Sequence, residues 1–139
     1  MLSNNMKNTI AHFLEKYDYS ELITKRENGD FDSRIMTHII QKDKFVLWYP
    51  TRTHTKKTDE IQRNPDVKVL LNGFTYGYSI SLTGKAEVIY DEELRRDFWD
   101  DKLYFFFKDG PSDPEYCLIK FVPEKIEFLD VKKRNCVNF

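Results

Sequence analysis

A chain of 139 residues with net charge −1 and 32% charged side chains is sized for one domain with its own core, and its balanced charge argues against a broad nucleic-acid footprint. Two cysteines are too few for a disulfide scaffold and imply reduced thiols, nothing resembles a zinc site, no apolar run is long enough to cross a bilayer, and the N-terminus lacks a signal-peptide core, so the cytoplasm is the expected compartment. An aromatic share of 15%, led by 11 Phe and 8 Tyr, points to half-buried pleated surfaces and a β-rich fold.

Ile10, Phe13, Leu14 and Tyr17 recur at i, i+3, i+4 and i+7, which predicts an amphipathic helix over residues 7–17. Residues 20–25 read as a strand, and Glu27-Asn28-Gly29-Asp30 is a tight-turn signal. Residues 33–41 read as a second strand, joined through Lys42-Asp43 to a third over 44–49, the three forming an antiparallel meander. A helix over 55–63 ends at Asn64-Pro65, since proline restricts its predecessor and lacks a donor. Residues 67–72 form a short buried strand.

Residues 76–90 form a long strand, with Tyr78, Ile80 and Leu82 on one face and Ser79, Ser81 and Thr83 on the other. Gly84 interrupts the alternation, the mark of a bulge or a close backbone approach, and curved strands of this kind close barrels. Asp91 is placed to cap a helix running to residue 99, and a second short helix follows over 101–107. Residues 115–122 and 125–130 make the last β segment, interrupted at Pro123, and the tail over 131–139 either frays or packs on a partner. No repeat or linker divides the chain, which gives a single domain over 1–139.

The stretch with chemical content lies between the third strand and the next helix. Thr51, Arg52, Thr53, Thr55, Lys56 and Lys57 offer hydroxyls, cations and the free N–H groups of a helix start, which suit a phosphate. The same residues also describe an ordinary capped helix with a solvated basic first turn, and the local pattern alone favours that plainer reading.

Taken in order, Ser33-Arg34-Ile35-Met36, Leu47-Trp48-Tyr49-Pro50-Thr51, Thr55-Lys56-Lys57, Asn64-Pro65, Ser81-Leu82-Thr83-Gly84-Lys85-Ala86-Glu87 and Gly110-Pro111-Ser112-Asp113-Pro114 resemble the pyridoxamine 5'-phosphate oxidase-like flavin-binding split barrels, in particular the general stress protein 26 branch. The resemblance spans roughly residues 20–130 and tips the loop toward the phosphate reading. It implies a β-rich α+β fold, an antiparallel split β-barrel of about six strands with an N-terminal helix and short peripheral helices. It also implies a homodimer with flavin mononucleotide, FMN, at the subunit interface.

The resemblance assigns roles residue by residue. Thr55, Lys56 and Lys57 match the phosphate segment, and Arg34 matches a second-strand arginine that reaches the same region. Ile35, Met36 and Thr37 place backbone groups beside the flavin ring, Pro50 and Thr51 border it, Ser79 faces it from a neighbouring strand, and Trp99 approaches from the other subunit. Ile35 stands where the branch often has proline, and Pro50 where it often has phenylalanine. The tail Lys132-Lys133-Arg134-Asn135-Cys136 lacks the Arg-x-His substrate region of a true pyridoxamine phosphate oxidase, which argues against vitamin B6 oxidation.

Other conspicuous residues have plain readings. His54 suits a solvated loop position, His38 a packed or edge position, and His12 the polar side of the first helix. Trp48 and Tyr49 suit a core strand, Cys117 a small buried hydrophobe, Cys136 an oxidisable tail thiol, Asp91-Glu92-Glu93 a helix start, and Lys132-Lys133-Arg134 a solvated tail. The absence of a visible triad or acid–base pair fits an FMN-dependent oxidoreductase in which the flavin supplies the redox chemistry, with a small-molecule substrate or a donor such as NAD(P)H. The competing readings are a non-catalytic flavin-sequestering stress protein and a flavin-free barrel that holds haem or a deazaflavin.

Overall fold

The chain enters through α1 (Asn4–Lys16), capped by the Ser3 hydroxyl, which accepts the Met6 N–H, and it buries Ile10, Phe13 and Leu14. In this computed structural model residues 3–73 and 77–130 are described in full and residues 135–138 by their backbone. Next come β1 (Tyr19–Lys25) and β2 (Phe31–Thr37), an antiparallel hairpin turned at Gly29, whose φ of 91° suits a residue without Cβ.

β3 (Ile39–Gln41) follows after a single residue, His38, yet it does not extend the first hairpin. It pairs with β4 (Val46–Arg52), at the far side of the sheet. The remaining strands are β5 (Asp66–Gly73), β6 (Tyr78–Ile89), β7 (Tyr116–Asp130) and β8 (Asn135–Asn138), and the order along the sheet is β2-β1-β5-β6-β7-β4-β3, with β8 beside β7. The two ends of that path, β2 and β3, are consecutive in the chain. A one-residue link reaches at most about 7 Å, so the sheet must curl until its edges meet, giving an antiparallel split barrel. The continuous meander expected over residues 20–49 is therefore two hairpins split at His38. Eight strands replace the six expected because of that split and because residues 135–138 add an edge strand. The remaining tail residues, 131–134 and 139, and the start of the strand expected from residue 76 lie outside the described residues.

His38 holds the seam. The residue is 2% exposed, and its backbone N–H donates to the Asp18 carbonyl at 2.7 Å. Nε2 lies 2.7 Å from the Leu14 carbonyl, which can only accept, so the proton sits on Nε2 and Nδ1 is an acceptor. The Ser20 hydroxyl then donates to Nδ1 at 2.9 Å and accepts from the Tyr49 hydroxyl at 2.8 Å. Every polar atom of this buried chain is satisfied, and it ties α1, β1, the seam and β4 together. The packed reading of His38 is the one observed.

On the opposite wall, β6 and β7 pair over their whole length with a register shift at Thr83/Gly84, opposite Pro123. A Cβ on Gly84 would sit 2.1 Å from the Val122 carbonyl oxygen and 2.8 Å from the Pro123 Cα, so the bulge depends on glycine. Pro123 does not break the last β segment, which runs as one strand through the bulge.

α2 (Lys56–Arg63) follows β4, and α3 (Glu92–Asp97) follows β6 under an Asp91 cap, with a short 3-10 segment at Asp101–Phe105 in place of the second helix. The strands enclose the main core, from Leu14 and Leu22 to Tyr49, Leu82 and Phe121. The outer face of β4 and β7 is covered instead, where Trp48, Tyr116 and Leu118 meet Phe98, Trp99, Leu103 and Phe107 in a second cluster.

Candidate functional site

Two features adjoin at one side of the seam. The first is a groove of about 740 Å³ between the barrel and the α3/3-10 segment. Met36, Thr37 and His38 from the β2–β3 junction form one wall, Pro50 and Thr51 from β4 form the floor, and Phe98, Leu103, Phe106 and Phe107 form the other wall. The exposed lining is mainly apolar, while polar and charged side chains, among them Asp18, Lys42, Asp100 and Lys102, also border it, a make-up compatible with a small-molecule site. Arg52 fastens the outer wall: its guanidinium donates to Glu115 Oε2 at 2.6 Å and to the Phe106 carbonyl at 2.8 Å, and lies 5.4 Å from the Phe107 ring centre.

The second feature is a pair of cations. Arg34 points to the barrel side of β2, and Lys57 stands on the first turn of α2. Lys57 is half-buried, and its ammonium titrates below the usual lysine range, first because burial penalises the charge and second because the Arg34 guanidinium is close enough to repel it. Neither has a carboxylate partner among the described residues. Two cations in partial burial with no carboxylate in direct contact favour an anion between them, and Lys57 stands on the first turn of α2, where the helix start itself favours negative charge. Burial pushes the Cys117 thiol up to about 11, while Lys57 and Arg95 pull it back, which puts Cys117 beneath Lys57. Cys117 is also the register partner of Thr51, a floor residue of the groove, and Arg34 stands two residues before the groove-lining Met36 on the same face of β2, so the cation pair adjoins the groove without lining it.

The other expected site residues fall in several places. Met36, Thr37, Pro50 and Thr51 line the groove. Ile35 alternates outward on β2 and is 74% exposed, leaving only its backbone beside the site. The Thr55 hydroxyl is the α2 cap, accepting the Thr58 N–H, while the Thr58 hydroxyl accepts the Thr55 N–H. Lys56 is turned away to Asp32, 3.2 Å from Oδ2. Ser79 donates to Asn72 Oδ1 at 2.8 Å and does not line the groove. Trp99 packs on Tyr104, Phe107 and Tyr116 in the second cluster, and it is its neighbour Phe98, stacked 4.5 Å from Trp48, that reaches the groove. His54 is exposed and has φ of 56°, a turn conformation that carries the chain from β4 into α2.

Sequence reasoning missed the Phe98–Phe107 wall. Its only trace was the apolar density of Leu103-Tyr104-Phe105-Phe106-Phe107, which also fits a plain core helix. Among the described residues no group of three or more His, Cys, Asp or Glu is arranged to hold a metal, and no helix is long and apolar enough to cross a membrane.

The architecture is that of the antiparallel split barrels, here with a groove beside a pair of cations that have no carboxylate in contact. This chain belongs to the pyridoxamine 5'-phosphate oxidase-like family, whose model matches residues 5–139. It is 30% identical to general stress protein 26 of Bacillus subtilis over 142 aligned positions, covering 99% of this chain and 98% of that protein. The crystal structure of general stress protein 26 from Bacillus anthracis is similar at a TM-score of 0.81 and 27% identity, over 97% of this chain and 99% of the other. A general stress FMN/FAD-binding protein of Xanthomonas citri shares the fold at a TM-score of 0.80 and 14% identity, over 93% and 91% of the two chains.

Proposed function

We propose that this chain binds FMN, with the phosphate between Arg34 and Lys57 and the ring system in the groove beside Met36, Thr37, Pro50 and Thr51. The observation that carries this reading is the cation pair without a carboxylate in contact, Arg34 lying two residues before the groove-lining Met36 on the same face of β2. A dianionic phosphate supplies the missing counter-charge, and charge-assisted bonds to it are about twice as strong as neutral ones. The flavin-binding description of the Xanthomonas citri protein supports the same ligand. When bound, FMN supplies reversible hydride and electron transfer. The chain's own part is to fix the phosphate, to flank the ring with the apolar wall of Phe98, Phe106 and Phe107, and to limit water there.

On this reading the protein is a cytoplasmic FMN-dependent oxidoreductase, not a vitamin B6 oxidase, acting on a small molecule or on NAD(P)H. It works as a homodimer with the flavin at the interface. The exposed apolar side chains Ile35, Tyr104, Phe105 and Phe106, beside the groove or on its rim, support a covering second copy. A second reading, a flavin-sequestering protein without catalysis, is supported by His38: it is the one groove-lining histidine, and both its ring nitrogens are engaged.

The purified protein is expected to be yellow, to release FMN on heating or acid treatment, and to lose FMN affinity by about 1.5–3 kcal/mol on Lys57→Ala. Colourless protein that ignores added FMN refutes the flavin reading. Anaerobic bleaching by NADPH or NADH at a catalytic rate supports the oxidoreductase, and no bleaching with either supports sequestration. Sedimentation as a monomer with and without FMN refutes the dimer.

A further inference from the structure

We infer that Thr24 and Glu60 are positioning residues for the cation pair, a buried hydroxyl–carboxylate bridge that holds the Arg34 guanidinium in place for the anion. This rests on the phosphate reading above and deepens it.

Arg34 Nη1 donates to Thr24 Oγ1 at 2.8 Å and to the Leu22 carbonyl at 3.3 Å. The Thr24 hydroxyl has one proton, and it goes to Glu60 Oε2 at 2.8 Å, so the polarity of the chain is fixed: Arg34 to Thr24 to Glu60. Thr24 is fully buried and Glu60 is 1% exposed. Arg34 stands on β2, Thr24 on β1 and Glu60 on α2, and Glu60 lies three residues after Lys57, on the same helix face one turn along. The bridge therefore fixes the element that carries one cation against the element that carries the other, although the two cations repel.

Its form matters as much as its presence. A carboxylate in direct contact would neutralise Arg34 and compete with a phosphate. A carboxylate one hydroxyl away orients the guanidinium and occupies only Nη1. Nη2 and Nε have no partner among the described residues and stay available for two-pronged binding of an oxyanion. A core helix position ordinarily takes an apolar side chain and a buried carboxylate is costly, so Glu60 depends on what surrounds it: the Thr24 hydroxyl on Oε2, and Asp32 with its Arg26 partner on the other side.

The test compares FMN with riboflavin, which shares the ring but lacks the phosphate. Affinities of both are measured by fluorescence titration of flavin-stripped protein for wild type, Arg34→Ala, Thr24→Val, Glu60→Ala and Glu60→Gln. Thr24→Val, which keeps shape and removes the hydroxyl, and Glu60→Ala are expected to weaken FMN about tenfold while riboflavin stays within about twofold. Glu60→Gln keeps an acceptor for Thr24 and is expected to restore FMN binding to within about threefold of wild type. If Arg34→Ala lowers the FMN preference and Thr24→Val and Glu60→Ala do not, the inference fails and the phosphate reading stands. Equal loss of both flavins in Thr24→Val also overturns it, because that is a purely structural role. If Arg34→Ala itself leaves the preference unchanged, the phosphate reading fails and this inference with it.

Discussion

Replacing Lys57 with methionine should make the ligand-free protein more stable and the flavin complex weaker, and the two effects have separate physical origins. In the free protein Lys57 is half-buried, is repelled by Arg34 and has no acid to offset it. Two like charges several ångströms apart repel by about 2 kcal/mol at an effective dielectric of about 20, and half exposure to solvent reduces that to about 0.5–1 kcal/mol. Methionine keeps the apolar stem that Lys57 buries, so little packing is lost. The expected gain for Lys57→Met is thus about 0.5–1 kcal/mol, or about 3 °C in Tm for a chain of this size. The gain should shrink in molar salt, which screens the repulsion. With FMN present the sign reverses, because a charge-assisted bond worth about 1.5–3 kcal/mol is gone and Kd rises by roughly 10- to 150-fold. Thermal and urea melts of stripped protein, run beside FMN titrations, read both quantities. A Lys57→Met variant that is less stable without flavin, or that binds FMN as tightly as wild type, refutes the account of Lys57 as an uncompensated cation kept for an anion.

Three further outcomes follow from the barrel itself. Gly84→Ala places a Cβ against the Val122 carbonyl and the Pro123 Cα, backbone that cannot rotate away, and should cost about 1–3 kcal/mol in urea denaturation; a neutral result would mean the bulge is soft. Ser20→Ala leaves His38 Nδ1 without a donor and the Tyr49 hydroxyl without an acceptor in a buried site, and should cost about 1–3 kcal/mol by the same assay. Burial holds the His38 imidazolium below its ordinary value, only partly offset by the Leu14 carbonyl and Asp18. Below about pH 6.5 the unfolded chain gains a proton that folded His38 refuses, so stability should fall as pH drops toward the folded value and stay flat above, with a slope of at most about 1.4 kcal/mol per pH unit. His38→Gln should remove that component of the slope, and an unchanged slope would place the titration elsewhere.

How much of this was legible in the sequence depended on whether a feature is local or assembled. Gly84 announced the bulge because it broke a period-two pattern in its own strand, and Asp91 announced a cap because capping is a contact over three residues. The split at His38 was invisible for the opposite reason. Residues 33–41 contain no glycine or proline to mark a break, and only the closure of the sheet, set by partners on β7 and β1, decides that the chain must change edges there. The site divides in the same way. Residue type was enough to nominate Arg34 and Lys57, but not to separate Lys57 from Lys56, because the acid that draws Lys56 away is Asp32, 24 positions earlier on β2. Nor was it enough to choose Phe98 over Trp99, since both lie just past the end of α3, where the backbone leaves the helix and the direction of each side chain is set by what it packs on. What the cations require of their surroundings was the least visible of all. Thr24 in β1 and Glu60 in α2 each read as an unremarkable residue of its element, and they become a bridge only when the hairpin and the helix are brought within 2.8 Å of each other. An arginine can be nominated from sequence as a phosphate ligand by type, whereas its aim is a property of the fold, and the Arg34 guanidinium is held by the Thr24 hydroxyl, which donates in turn to Glu60.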